Sequence, residues 1–200
     1  MIVLLDNYDS FVHNLARYVR LQDCETSVIR SDQITPDEIL QMRPDGILLS
    51  PGPNGPVDAG CCVPAVQQMS GQIPILGVCL GHQSIGYAFG ADVVTGPPMH
   101  GRQSQIQHDD PILFAHCDQP MPVARYHSLV LQPDSIPDVL RVTATTLDDA
   151  KTVMAVRHVD HPTFGVQFHP ESVLSPQGMH IIKNFVAHCT AGSRTQDANT

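Results

Sequence analysis

The sequence has no apolar run approaching the roughly 18 residues that a membrane-spanning helix needs. Its first residues, Met1-Ile2-Val3-Leu4-Leu5-Asp6, lack the basic flank and the length of a secretory signal. Positive charge is scarce: 11 Lys and Arg against 20 Asp and Glu give a formal net charge of -9, which disfavours nucleic acid and anionic membranes as partners. None of the six cysteines, Cys24, Cys61, Cys62, Cys79, Cys117 and Cys189, belongs to a Cys-x-x-Cys pair. No disulfide framework is indicated, and a reduced cytoplasm is the expected compartment. The eleven histidines are scattered, and His158-x-x-His161 lies in a polar turn with no carboxylate beside it but Asp160, so no metal site is expected. Repeats, low-complexity stretches and linkers are also absent. The 200 residues therefore read as one domain over residues 1–189, with a small polar tail at 190–200 expected to be disordered.

Met1 to Leu5 is a continuous apolar run, the pattern of a strand buried on both faces. Ser10 stands as a helix N-cap ahead of Phe11, Leu15, Tyr18 and Val19, which recur at helical spacing toward Leu21. Thr26 to Arg30 reads as a second strand, and Thr35-Pro36-Asp37-Glu38 combines a capping-box threonine, a proline at N1 and a glutamate at N3. Asp45 to Ser50 is a third strand, Pro51 to Gly60 a loop, Cys62 to Met69 a helix, and Ile73 to Val78 a fourth strand running into a helix that reaches about Phe89. This alternation predicts an α/β fold with a mostly parallel sheet and helices on both faces. Beyond it, Val93-Val94, Gln103 to Gln107, Val123 to Leu131, Val139 to Thr145, Thr152 to Arg157 and Thr163 to Phe168 are short β-like runs. They predict a small antiparallel extension and a return strand, closed by a helix in which Ile181, Ile182, Phe185, Val186 and Cys189 share a face.

The chain is organised around Gly77-Val78-Cys79-Leu80-Gly81. In a Gly-x-nucleophile-x-Gly elbow the glycines let strand and helix approach while the middle side chain is held exposed on a strained turn. The N–H of Leu80 would open the helix and favour negative charge nearby. The dipole supplies only about 0.3–1 kcal/mol, too little to ionise a thiol at neutral pH, so the elbow predicts a basic partner. The alternative is that Cys79 is one more buried small residue. His169 in Gln167-Phe168-His169-Pro170-Glu171 is the best candidate base. Pro170 biases it toward extended backbone, where residues i and i+2 point to one side, so that Glu171 could orient the imidazole. Equally, His169 could end a strand and Glu171 begin a short helix. Gly52, in Pro51-Gly52-Pro53-Asn54, can present its N–H unhindered and, with Leu80, bind an oxyanion; a rigid turn would explain the prolines as well. Gln83 could hold a substrate's polar end or be an ordinary exposed helical glutamine. Asp6-Asn7-Tyr8-Asp9-Ser10, Pro51 to Gly60 and Cys79 all follow strand ends, where ligands of such sheets bind.

These residues carry a resemblance. Asp6-Asn7-Tyr8-Asp9-Ser10-Phe11, Ser50-Pro51-Gly52-Pro53, Gly77 to Gln83, Met99-His100-Gly101-Arg102, Arg125-Tyr126-His127-Ser128-Leu129 and Gly165 to Ser172 resemble, in order, the class I glutamine amidotransferases, specifically the small subunits of anthranilate and aminodeoxychorismate synthase. The resemblance implies the family's mostly parallel, flavodoxin-like sheet, a Cys79–His169–Glu171 triad, and glutamine binding through Gly52, Pro53, Asn54, Leu80, Gln83, Ser128 and Leu129. It implies that the partner is a large chorismate-binding synthase subunit, met near His100, Gly101 and Arg102, with no cofactor in this chain and magnesium in the partner synthase. Asn54 stands where the family often has glycine, and Arg102 where it usually has lysine. Tyr126 to Val130 and Pro133 to Pro137 lean slightly toward the aminodeoxychorismate branch. Outside the family, a thiol-dependent peptidase of related fold and a non-catalytic receiver-like module built on Asp6 and Asp9 remain open. An α/β-hydrolase would place its acid before the histidine, whereas Glu171 follows His169.

Overall fold

The computed structural model describes residues 1–148 and 150–197, the side chains only to residue 191. Five parallel strands form one side of a nine-stranded sheet: β1 (Ile2–Asp6), β2 (Thr26–Arg30), β3 (Gly46–Leu49), β4 (Ile75–Val78) and β11 (Thr163–Val166). The antiparallel part continues the same sheet through β6 (Arg102–His108), β7 (Met121–Arg125), β9 (Leu140–Thr146) and β10 (Val153–His158). The order is β2-β1-β3-β4-β11-β10-β9-β6-β7, and β5 (Val93–Thr95) pairs with β8 (Leu129–Leu131) in a separate ribbon.

Period-two alternation explains why both faces are covered. Ile2, Leu4 and Leu48 face one core with α1 (Val12–Arg20) and α5 (Gly178–Asp197). Val3, Leu5, Ile47 and Leu49 face the other with α2 (Pro36–Gln41), α3 (Cys62–Met69) and α4 (Leu80–Ala88). The expected capping box is present: Thr35 Oγ1 accepts from Glu38 N–H at 3.3 Å, and the Glu38 carboxylate accepts from Thr35 N–H at 2.8 Å.

Three local expectations are corrected. Ser10 does not cap α1; the N-cap is Phe11, with no side-chain cap, and its own N–H donates to Asp9 Oδ2 at 3.1 Å. The run Val123 to Leu131 is two strands in different sheets, because the chain leaves β6 after Arg125 and rejoins β5 at Leu129. The Pro51 to Gly60 loop contains one turn of 3-10 helix, Pro56–Asp58. The closing helix continues beyond Cys189 to Asp197, and residues 198–200 of the expected tail lie outside the described residues.

All five parallel strands point the same way. The segments after β1, β3, β4 and β11 consequently meet at one edge, and they carry the candidate site.

Candidate active site

Cys79 follows β4 and caps α4 with φ +51° and ψ -100°, a backbone that side-chain-bearing residues rarely adopt. The flanking glycines are required by contact. A Cβ on Gly77 would lie 2.4 Å from the Gly81 backbone, and one on Gly81 would lie 2.4 Å from the Leu49 carbonyl oxygen. Strand and helix thus touch backbone to backbone, and Cys79 takes the sharp corner, with its N–H donating to Val166 O at 2.9 Å.

His169 stands beyond the end of β11, tied by its N–H to Ala124 O at 3.0 Å and by its carbonyl, which accepts from Ser175 Oγ at 2.7 Å. Its Nδ1 is 2.6 Å from Glu171 Oε1, the contact expected from i, i+2 spacing, and the Tyr126 ring meets it edge-on at 5.1 Å. Its Nε2 is buried, has no hydrogen-bond partner of ordinary geometry among the described residues, and lies within electrostatic reach of the Cys79 sulfur. Burial alone would lower the imidazole pKa, but Cys79 and then Glu171 outweigh it and push it up to about 10. Asp9, which lines the same cleft, is pushed up to about 6, chiefly by burial and then by the Glu171 charge, while His169 pulls the other way.

Cys79, His169 and Glu171 open into a cleft of about 480 Å³ lined also by Tyr8, Asp9, Gly52, Pro53 and His100. A Cβ on Gly52 would lie 2.5 Å from the Asn7 carbonyl oxygen, so only glycine fits there. Asn7 ties the loops after β1 and β3 together: its N–H donates to Ser50 Oγ at 2.9 Å and its Nδ2 to Ser50 O at 3.0 Å. Leu80 is the first residue of α4, so its N–H has no partner within the helix.

Not every candidate lines that cleft. Asn54, at φ +64°, and Leu80 border a neighbouring hollow of about 310 Å³ with Pro53 and Asn7. Gln83 is 3% exposed, which removes the exposed-glutamine alternative, and its Nε2 donates to Leu129 O and to Gln167 Oε1. Ser128 uses its carbonyl to accept from Gly96 N–H at 2.8 Å. His100 sits edge-on to Tyr126, Gly101 has φ +64°, and Arg102 opens β6, so this segment borders the mouth. Tyr8, Phe11, Tyr126 and Val173 are exposed apolar residues of the lining.

Sequence reasoning gave no role to Gln167, whose Nε2 lies 3.6 Å from Cys79 Sγ. The spacing that joined His169 to Glu171 extends back to it, so the signal was present. Asp6, offered for a receiver-like module, is instead paired with Arg30 at 2.8 Å. Among the described residues no group of histidine, cysteine and acidic side chains is arranged to hold a metal, and no helix is long and apolar enough to cross a membrane.

Known proteins resemble this chain over nearly its whole length. The family described as Glutamine amidotransferase class-I matches residues 3–189. The bifunctional protein TrpGD of Thermotoga maritima is 49% identical over 92% of this chain, which spans only 32% of that protein's length. The aminodeoxychorismate/anthranilate synthase component 2 of Bacillus subtilis is 46% identical over 93% of this chain and 95% of its own. A crystal structure from Thermoplasma acidophilum, described as that of a GMP synthase subunit, superposes with a TM-score of 0.86 at 25% identity, covering 98% of this chain and 96% of that one.

Proposed function

The chain belongs to the class-I glutamine amidotransferases, and on that premise we propose that it hydrolyses L-glutamine for a chorismate-aminating synthase whose product is anthranilate, aminodeoxychorismate or both. The observation that carries the proposal is the elbow cysteine facing a buried imidazole whose other nitrogen holds Glu171 at 2.6 Å.

His169 Nε2 takes the Cys79 thiol proton, and the sulfur attacks the side-chain amide carbon of glutamine. The N–H groups of Gly52 and Leu80 receive the oxyanion. His169 returns its proton to the departing nitrogen, ammonia leaves, and a glutamyl thioester remains on Cys79. Water, deprotonated by the same imidazole, hydrolyses it to glutamate and restores the thiol. Glu171 fixes the tautomer and stabilises the imidazolium throughout. Pro53, Asn54, Gln83, Ser128 and Leu129 complete the glutamine site on this reading, Gln83 through its Oε1, since its Nε2 is committed within the protein.

Ammonia passes to a large chorismate-binding subunit. Apolar Tyr8, Phe11, Tyr126 and Val173 around the mouth, beside His100, Gly101 and Arg102, suit a protein partner better than water. Six free cysteines suit a reduced cytoplasm. The test is to purify the chain with its native partner, supply chorismate and glutamine, and identify the aminated product. Anthranilate or aminodeoxychorismate is expected and assigns the branch; a complex that makes neither refutes the proposal.

A further inference from the structure

A run of hydrogen bonds not used in that mechanism ends on the nucleophile. Arg125, 1% exposed, donates its Nε–H to His127 Nε2 at 3.2 Å. His127 Nδ1 is 3.1 Å from the Leu129 carbonyl oxygen, which also accepts from Gln83 Nε2 at 3.0 Å. Gln83 Nε2 donates again, to Gln167 Oε1 at 3.1 Å, and Gln167 Nε2 reaches Cys79 Sγ at 3.6 Å. One backbone atom sets the polarity of the whole run. A carbonyl oxygen can only accept, so His127 Nδ1 must bear hydrogen and Gln83 must present its amide nitrogen to Leu129. The Gln167 atom opposite that nitrogen is then oxygen, and its NH2 is turned to the sulfur. His127 is kept neutral, and its Nε2 an acceptor, because burial and then the Arg125 charge lower its pKa to about 4.

We infer that Gln167 is a further catalytic residue, an N–H donor that stabilises the Cys79 thiolate and aims it into the cleft, its amide orientation enforced by Gln83, Leu129 and His127. When the S–H bond breaks and the proton passes to His169 Nε2, the sulfur gains a lone pair that the Gln167 N–H can hold; a neutral thiol is a much weaker acceptor. The inference deepens the glutaminase reading and rests on it for what the thiolate attacks, not for the donor itself.

The test is iodoacetamide alkylation of Cys79 in the full chain, followed by mass spectrometry of its peptide across pH, for wild type, Gln167→Met and Gln167→Glu. At pH 7 the methionine variant should react about tenfold more slowly, as one charge-assisted hydrogen bond warrants, and the glutamate variant more slowly still because it adds a like charge. Both deficits should close at high pH, where the thiol ionises without help; a loss caused only by disturbed packing would persist. The near-isosteric glutamate variant keeps the test open if the methionine variant does not fold. Equal rates in all three proteins at pH 7, or a deficit independent of pH, overturns the inference. Should a wild-type complex fail to use glutamine while the alkylation effect stands, the glutaminase reading falls and the donor assignment survives.

Discussion

Cys79 holds a φ of +51° without being glycine, a conformation that costs on the order of 1–3 kcal/mol and persists only where its surroundings over-determine it. Here the Val166 carbonyl, the touching backbones of Gly77 and Gly81, and the Gln167 amide fix it from three directions. The same economy applies to His169, whose one bonded ring nitrogen leaves the other for chemistry. Glu171→Gln keeps the shape but removes the charge that, in the proposed mechanism, supports the imidazolium. It should lower kcat by roughly 10²-fold with little change in KM, less than the loss on removing Cys79. Steady-state glutamine turnover in the complex checks this, and an unchanged kcat would take Glu171 out of the mechanism. The elbow at Cys79 and the contact of His169 with Glu171 were legible because their cues are local: a cysteine between glycines, and an i, i+2 pair with a proline bias. Gln167 has the same local cue, but its role depends on Gln83 and Leu129, which come together only in three dimensions.

Between elements, the elbow is a packing joint where β4, α4 and β3 meet at backbone contact. Gly77→Ala would put a methyl 2.4 Å from Gly81 and should destabilise the protein by about 1–3 kcal/mol or more, with activity lost in step. Gly90→Ala, at φ +100° with open space around its Cβ position, should cost only backbone strain, about 1 kcal/mol, and leave turnover intact. Urea denaturation of both variants distinguishes them; equal costs would show that contact at the elbow is not limiting. Element boundaries divide along the same line between local and distant causes. The capping box at Thr35 and the strand at Thr26–Arg30 were readable because propensity and capping lie within a few residues. The break between β7 and β8 was not, since Arg125 pairs opposite Arg102 while Leu129 pairs opposite Thr95, and nothing in the alternating run marks the change of partner. Ser10 lost its place as cap to a turn set by Asp6 and Asp9, with Asp6 Oδ1 accepting from Asp9 N–H at 3.0 Å.

For the whole molecule, the buried histidines set a pH limit. His82, fully buried against Gly165, has its pKa lowered to about 3 by desolvation, and that of His127 is lowered to about 4. Between the ordinary value of about 6.5 and those values the unfolded chain binds protons that the folded one refuses. Their contribution is therefore complete above about pH 6.5 and is lost as pH falls through that window, by up to about 1.4 kcal/mol per unit for each histidine. Urea unfolding at pH 7 and pH 5 should show this fall, and His82→Met should flatten it; an unchanged slope would contradict the assignment. The fold class, with its parallel half and antiparallel extension, was legible from alternation and apolar runs. What was not legible, that the extension continues the same nine-stranded sheet, depends on pairings between residues far apart in the chain. In the proposed function Cys79 makes ammonia from glutamine for a partner that does the amination. The most direct measurement is the synthase reaction of the complex with Cys79→Ala, run once with glutamine and once with added ammonia. Loss of the glutamine-dependent reaction with the ammonia-dependent one retained is the predicted result; equal loss of both, or retention of both, would contradict it.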